Sequence, residues 1–184
     1  MRFTLILCLT LVGCSKTRNP AMTQTASPVS AMLSVGIDSA QMFTATFNDP
    51  NGGSQIAEVT LSIMSDNIRP GGRSRWSANQ CLLRYDIAEN AIWLVPDVGG
   101  TWGSHSITAG SSSTFSNSQC TVLASGSSAQ VSGKTVTVDL QVKFTDKFAG
   151  TKQLYVTCED TKGNWSPDYQ RQFSSFIVAA VPTP

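Results

Sequence analysis

The stretch TVTVDLQVKF, residues 135–144, decides the fold. Every second residue in it is apolar, and the residues between them are polar. Successive side chains of a β-strand point to opposite faces, whereas helical spacing would scatter these apolar side chains around the helix axis. The stretch therefore predicts a strand that packs one face on a core, through Val136, Val138, Leu140, Val142 and Phe144.

The same alternation recurs along the chain in shorter stretches, separated by turns rich in glycine, asparagine and serine. No stretch shows a convincing helical period. The serine-rich residues 103–133 are expected to form loops with one or two strands. The pattern predicts an all-β antiparallel β-sandwich. We expect its further strands at residues 43–47, 57–63, 81–85, 154–158 and 173–178, with a short apolar strand buried on both faces at 92–95.

The first residues predict export. The dipeptide MR is followed by an apolar stretch at residues 3–13, which is too short for a membrane-spanning helix of about 20 residues. The sequence LVGC at residues 11–14 resembles the lipobox of bacterial lipoproteins. That resemblance implies cleavage before Cys14 and attachment of lipid to its thiol. The alternative is a plain secretory signal followed by a coincidental cysteine.

These features divide the chain into three parts. We expect a signal peptide at residues 1–13, a lipidated cysteine with a flexible tether at 14–30, and one sandwich domain at 31–180. The expected location is the cell envelope, with the lipid holding the protein to the membrane. By analogy with sorting in Gram-negative bacteria, Ser15 after the cysteine favours the outer membrane.

The charge balance argues against a nucleic-acid partner. The chain has 13 basic and 12 acidic residues, and loss of Arg2 with the signal peptide makes the two numbers equal. Nucleic-acid binding rests on a cationic surface that such a balance does not supply as a whole. We therefore expect no nucleic-acid partner.

Four stretches resemble an Ig-like repeat domain found in modular secreted and surface proteins of bacteria. They are FTATFNDPNGG, NQCLLRYDIAENAIWLV, STFSNSQCTV and VTVDLQVKFTDKFAGTKQLYVTCEDTKGNWS. The resemblance covers roughly residues 31–178. It implies an Ig-like β-sandwich that serves as a spacer or adhesion-like element with no assigned chemistry. It also implies that Cys81 pairs with Cys120.

The cysteine count leaves one thiol over. If Cys8 leaves with the signal peptide and Cys14 takes lipid, three cysteines remain, which allow one bridge. An oxidising compartment outside the cytoplasm favours that bridge. With Cys81 and Cys120 paired, we expect Cys158 to be a buried apolar side chain. The alternative is a redox-active or intermolecular thiol.

One arginine-rich loop is the main candidate for ligand binding. The segment SDNIRPGGRSRWSANQ, residues 65–80, carries Arg69, Arg73, Arg75 and Trp76. Arginine offers paired donors to anionic groups, and tryptophan offers a stacking face to a sugar ring. Trp102, in another loop, is a further candidate. The alternative is a solvated loop whose arginines aid solubility and whose tryptophan packs on the edge of the sandwich.

Catalytic and metal-binding patterns are scarce. His105 is the single histidine, so a multi-histidine zinc site is excluded and a Ser-His-Asp triad would depend on it alone. Calcium is the one cofactor that we consider, as a weak candidate with oxygen ligands on end loops. The residues for it are Asp49, Asn51, Glu159 and Asp160. The alternative is that these side chains simply stabilise turns.

The sequence thus predicts a lipid-anchored, non-catalytic binding or adhesion-type module of the cell envelope. Its partner would be an envelope glycan or a protein, bound through end loops. A second hypothesis is a structural accessory lipoprotein that docks onto a larger assembly by a strand edge. A third, hydrolysis, requires His105 and is the weakest.

Overall fold

The computed structural model describes residues 23–26, 34–35, 39–65, 78–166 and 172–179. Within them the chain forms twelve β-strands and two short 3-10 turns. None of the described segments is a helix long and apolar enough to cross a membrane. The strands are β1 (Thr23–Ala26), β2 (Ser34–Val35), β3 (Gln41–Asn48), β4 (Ile56–Ser65), β5 (Cys81–Asp86), β6 (Ala91–Leu94), β7 (Ser106–Thr108), β8 (Thr114–Ser116), β9 (Cys120–Ser132), β10 (Thr135–Phe144), β11 (Gly150–Asp160) and β12 (Gln172–Val178).

Two sheets pack face to face, which confirms the predicted β-sandwich. One sheet has five strands in the order β1-β3-β10-β9-β8, and the other has seven in the order β2-β12-β11-β4-β5-β6-β7. Neighbouring strands are antiparallel except for the short parallel pair of β2 and β12. The expected strands all appear, most of them longer than the alternating stretch that predicted them.

The core lies between the sheets and is built by the alternation that the sequence shows. All five apolar side chains of β10 are buried, while the residues between them are only partly covered. Phe144 lies at the centre of a ring cluster, with centroid distances of 6.0 Å to Phe43, 5.5 Å to Phe148 and 5.9 Å to Phe176. Burial of such rings is the main favourable contribution to folding.

A disulfide ties the two sheets together. Cys81 at the start of β5 and Cys120 at the start of β9 are bonded, with Cα atoms 5.7 Å apart, as the family resemblance implies. The bridge closes a sequence separation of 39 residues, for which the chain-entropy model gives a stabilisation of about 4 kcal/mol. Cys158 is buried, as expected.

Residues 103–133 are more ordered than their composition suggests. They hold three strands, β7, β8 and the 13-residue β9, rather than loops with one or two strands. The register of β9 against β10 shifts near Gln141. There the Ser127 hydroxyl donates to the Leu123 carbonyl at 2.8 Å and accepts from the Gln141 amide at 3.0 Å. A side chain thus takes a place in the backbone ladder, so a serine-rich segment continues as a bulged strand.

Candidate functional site

An open cleft of about 410 Å³ lies where the loop after β6 faces β8. The loop belongs to the seven-stranded sheet and β8 to the five-stranded sheet, so the cleft is formed between their edges. Five lining residues are apolar or glycine, and five carry polar side chains. They are Leu94, Val95, Pro96, Asp97, Gly103, Ser104, His105, Phe115, Ser116 and Asn117.

Asn117 fixes one wall of the cleft. Its side-chain amide donates to the carbonyls of Gln80 at 2.8 Å and Val95 at 2.9 Å. Its side-chain oxygen accepts from the backbone amides of Gln119 at 2.9 Å and Cys120 at 3.0 Å. The bonds to Gln80 and Val95 link the segment after β8 to the seven-stranded sheet next to the disulfide, and those from Gln119 and Cys120 close a local turn before β9. Asn117 therefore shapes the cleft rather than offering free donors to a ligand.

Asp97 is held in place on the adjoining loop. Its carboxylate accepts from the Ser118 backbone amide at 2.9 and 3.1 Å and from the Ser118 hydroxyl at 2.7 Å. The loop itself turns through Gly99 and Gly100, whose φ angles of 67° and 96° suit glycine. The Gly99 amide closes this turn on the Pro96 carbonyl at 2.9 Å. A fixed carboxylate therefore lines the cleft.

Three other side chains are placed to meet a ligand. Phe115 on β8 is half-buried, and Ser104 and His105 on the facing loop are exposed. Within the described part of the chain, neither Ser104 nor His105 has a hydrogen-bond partner for its side chain. Asp97 bonds to Ser118 and not to His105, so these residues do not form the hydrogen-bonded relay of a catalytic triad. The arrangement can bind an apolar face and donate to hydroxyl groups.

A second polar cluster lies on the outer face of the seven-stranded sheet. Arg84 on β5 pairs with Glu58 on β4, with an N–O distance of 3.4 Å. The Arg84 guanidinium lies 4.7 Å from the centroid of Trp93 and 5.1 Å from that of Trp102. Trp102, a candidate for ligand binding in the sequence, packs on Arg84 and on the buried residues Leu82 and Val95. Its indole thus holds the second half of the loop between β6 and β7 against the sheet.

The carboxyl group of Glu58 is strongly perturbed. Burial raises its pKa from the ordinary 4.5 to about 7, although Arg84 acts in the opposite direction. Glu159 on β11 and Asp86 on β5 lie directly opposite Glu58 in the ladder, and both raise the pKa further. Three acidic residues therefore lie in a row across three strands, with the Arg84 guanidinium paired to the central one, Glu58.

Two of the calcium candidates, Asp49 and Asp160, stabilise turns through their carboxylates. The Asp49 carboxylate accepts from the Asn51 amide at 2.8 Å. The Asp160 carboxylate accepts from the backbone amides of Lys162 at 2.9 Å and Asn164 at 2.8 Å, and from the Asn164 side chain. The described residues contain no group of three or more histidines, cysteines or acids arranged to hold a metal. Glu159 lies within β11, directly opposite Glu58 on β4.

No family model matches the chain, and neither a curated protein nor a solved structure matches it. Function is therefore inferred from the cleft, the outer-face cluster and the sequence motifs.

The remaining sequence candidates lie outside the described residues. They are Cys14, Arg69, Arg73, Arg75 and Trp76. Sequence reasoning, for its part, did not identify the cleft, because its walls come from the separate segments 94–105 and 115–117. The one available signal was Asn117-Ser118, an Asx-type turn sequence directly before a strand.

Proposed function

We propose that this chain is a lipid-anchored, non-catalytic recognition module of the bacterial cell envelope, built on an Ig-like β-sandwich. The observation that carries the recognition role is the cleft between β6 and β8. Its volume of about 410 Å³ falls in the range of roughly 300–1,000 Å³ that is typical of small-ligand sites.

The walls of the cleft favour binding without rearrangement. Asn117 joins the two sheets through two hydrogen bonds, to the carbonyls of Gln80 and Val95, and Asp97 holds its loop to Ser118. The Cys81–Cys120 disulfide lies beside Asn117 and adds a covalent link between the sheets. A site that is already formed loses less conformational entropy when a ligand binds.

The lipid anchor is supported by the sequence LVGC at residues 11–14. Lipid on Cys14 together with acylation of the new amino terminus supplies the two signals that stable anchoring needs. The test is expression in a Gram-negative host with an alkyne-tagged palmitate, followed by fractionation. We expect label on the wild-type chain, in the membrane fraction, and its loss in Cys14→Ser. If Cys14→Ser is labelled as strongly as the wild type, or if the wild type takes up no label, the proposed lipid anchor is contradicted.

Recognition is tested by binding of the full chain, purified in detergent, to an array of envelope glycans. We expect binding that Phe115→Ala weakens about tenfold or more, because the ring is the largest apolar side chain in the cleft. Phe173→Ala is the matched control, since Phe173 is a partly exposed ring on β12, four strands from β6. Equal losses in the two variants, or no binding by the wild type, would contradict the proposal.

A structural accessory that docks by a strand edge is the second candidate. Among the described residues, β12 pairs with β2 only at Ile177 and Val178. Phe173 and Ile177 on this strand are 37% and 54% exposed. An exposed edge with apolar side chains suits strand addition by a partner. Loss of a partner from pull-downs with Ser175→Pro, but not with Phe115→Ala, would favour this function.

A further inference from the structure

The residues that line the cleft include a negative charge but no lysine or arginine. Asp97 is acidic, and none of the ten described lining residues is a lysine or an arginine. The carboxylate accepts three hydrogen bonds from Ser118, which hold it at the wall of the cleft. An acidic ligand would therefore meet the negative charge of Asp97, with no lysine or arginine among the described lining residues to offset it.

The rest of the lining suits an uncharged ligand with one apolar face. Phe115 offers a ring on which the C–H face of a sugar can stack. Ser104 and His105 offer donors and acceptors that the described residues leave unused.

We infer that the cleft binds an uncharged sugar ring, and that Asp97 is the specificity-determining residue that excludes acidic sugars. This inference rests on the proposed recognition function and narrows its ligand class. A like charge placed beside the Asp97 carboxylate weakens binding through electrostatic repulsion, whereas a neutral hydroxyl group meets no such penalty.

The experiment measures binding of matched sugar pairs to the full chain in detergent by titration calorimetry. Each pair joins a neutral oligosaccharide of glucose, galactose or mannose with the corresponding uronic acid oligosaccharide. We expect the neutral member of at least one pair to bind, and its acidic counterpart to bind at least tenfold more weakly. The Asp97→Asn variant should bind the acidic member tenfold or more tightly than the wild type does, while its affinity for the neutral member should change less than about threefold.

The controls separate this inference from the proposed function. Glu89→Gln removes one negative charge from the exposed turn between β5 and β6. It should leave the preference for neutral over acidic sugars unchanged. If Asp97→Asn does not fold, raising the ionic strength should narrow the preference of the wild type, since salt screens the repulsion. If the acidic and neutral members bind with equal affinity and Phe115→Ala weakens both, this inference is overturned and the recognition function stands. Absence of binding by every probe would contradict both.

Discussion

Glu58 and Glu159 lie directly opposite each other on β4 and β11, and Arg84 on β5 forms an ion pair with Glu58 at an N–O distance of 3.4 Å. Two acids in such a position repel each other when both are ionised. Arg84 lies over Trp93 and Trp102, where its position is restrained by the two rings. The outer face of the seven-stranded sheet is therefore sensitive to the protonation of Glu58.

The first prediction is a loss of stability as pH rises. In the unfolded chain Glu58 ionises near its ordinary pKa of 4.5, but in the folded chain its pKa is about 7. Between these values the folded state keeps a proton that the unfolded state has lost, so stability falls as pH rises and levels off above about 7. The contribution is on the order of 3 kcal/mol. Urea unfolding across this range measures it.

Glu58→Gln should remove this part of the pH dependence, because the amide does not titrate. The free energy of unfolding of Glu58→Gln, relative to that of the wild type, should therefore increase from pH 4.5 to 7. Glu89→Gln, on an exposed turn, is the control and should not change the profile in this way. Parallel profiles for the wild type and Glu58→Gln would show that burial does not perturb this carboxyl group.

A second prediction concerns close packing at Gly53. A Cβ atom at this position would lie 2.5 Å from the backbone oxygen of Thr135, which cannot move without disturbing β10. Gly53→Ala should therefore cost about 1–3 kcal/mol of stability. Gly103→Ala is the matched control, because its Cβ would meet the Leu94 oxygen at an ordinary 3.7 Å. Equal thermal midpoints for the two variants would contradict this account of the turn.

A third prediction concerns Asn117. Asn117→Ala removes four hydrogen bonds and leaves the carbonyls of Gln80 and Val95 without their side-chain donor. We expect a loss of about 2–4 kcal/mol. Ser112→Ala, at an exposed loop position, should change stability by less than about 0.5 kcal/mol. Chemical denaturation compares the two, and a small loss for Asn117→Ala would mean that the wall is not held by this side chain.

A fourth prediction concerns the bridge between the sheets. Replacing both Cys81 and Cys120 by alanine should lower the free energy of unfolding by about 4 kcal/mol under oxidising conditions. With reductant present during unfolding and refolding, the wild type should approach the variant. A variant as stable as the oxidised wild type would show that the bridge does not constrain the unfolded chain.

The sequence predicted those parts of the fold that depend on local alternation. The five apolar residues of β10 are buried because the period of two along a strand places them on one face, and that period is visible in the sequence. The Cys81–Cys120 pair followed from the resemblance of the flanking stretches to Ig-like domains. The full length of the serine-rich β9 was not predicted, because its composition resembles that of a loop and Ser127 completes the ladder through its side chain.

The site depended on information that the sequence does not display. The cleft needs the edges of two sheets to meet, and the pairing of Asn117 with the Val95 carbonyl spans 22 residues of chain. The perturbation of Glu58 needs the register of three strands. A one-residue slip in that register would move the acids to opposite faces, so alternation alone cannot predict their row.

The most direct test of the recognition role is a calorimetric titration of the full chain with neutral oligosaccharides, made on the wild type, Phe115→Ala and Phe173→Ala. The account predicts binding by the wild type and by Phe173→Ala, with a loss of about tenfold or more in Phe115→Ala. Binding that survives in Phe115→Ala, or that is absent in all three, would contradict a recognition site in the cleft between β6 and β8.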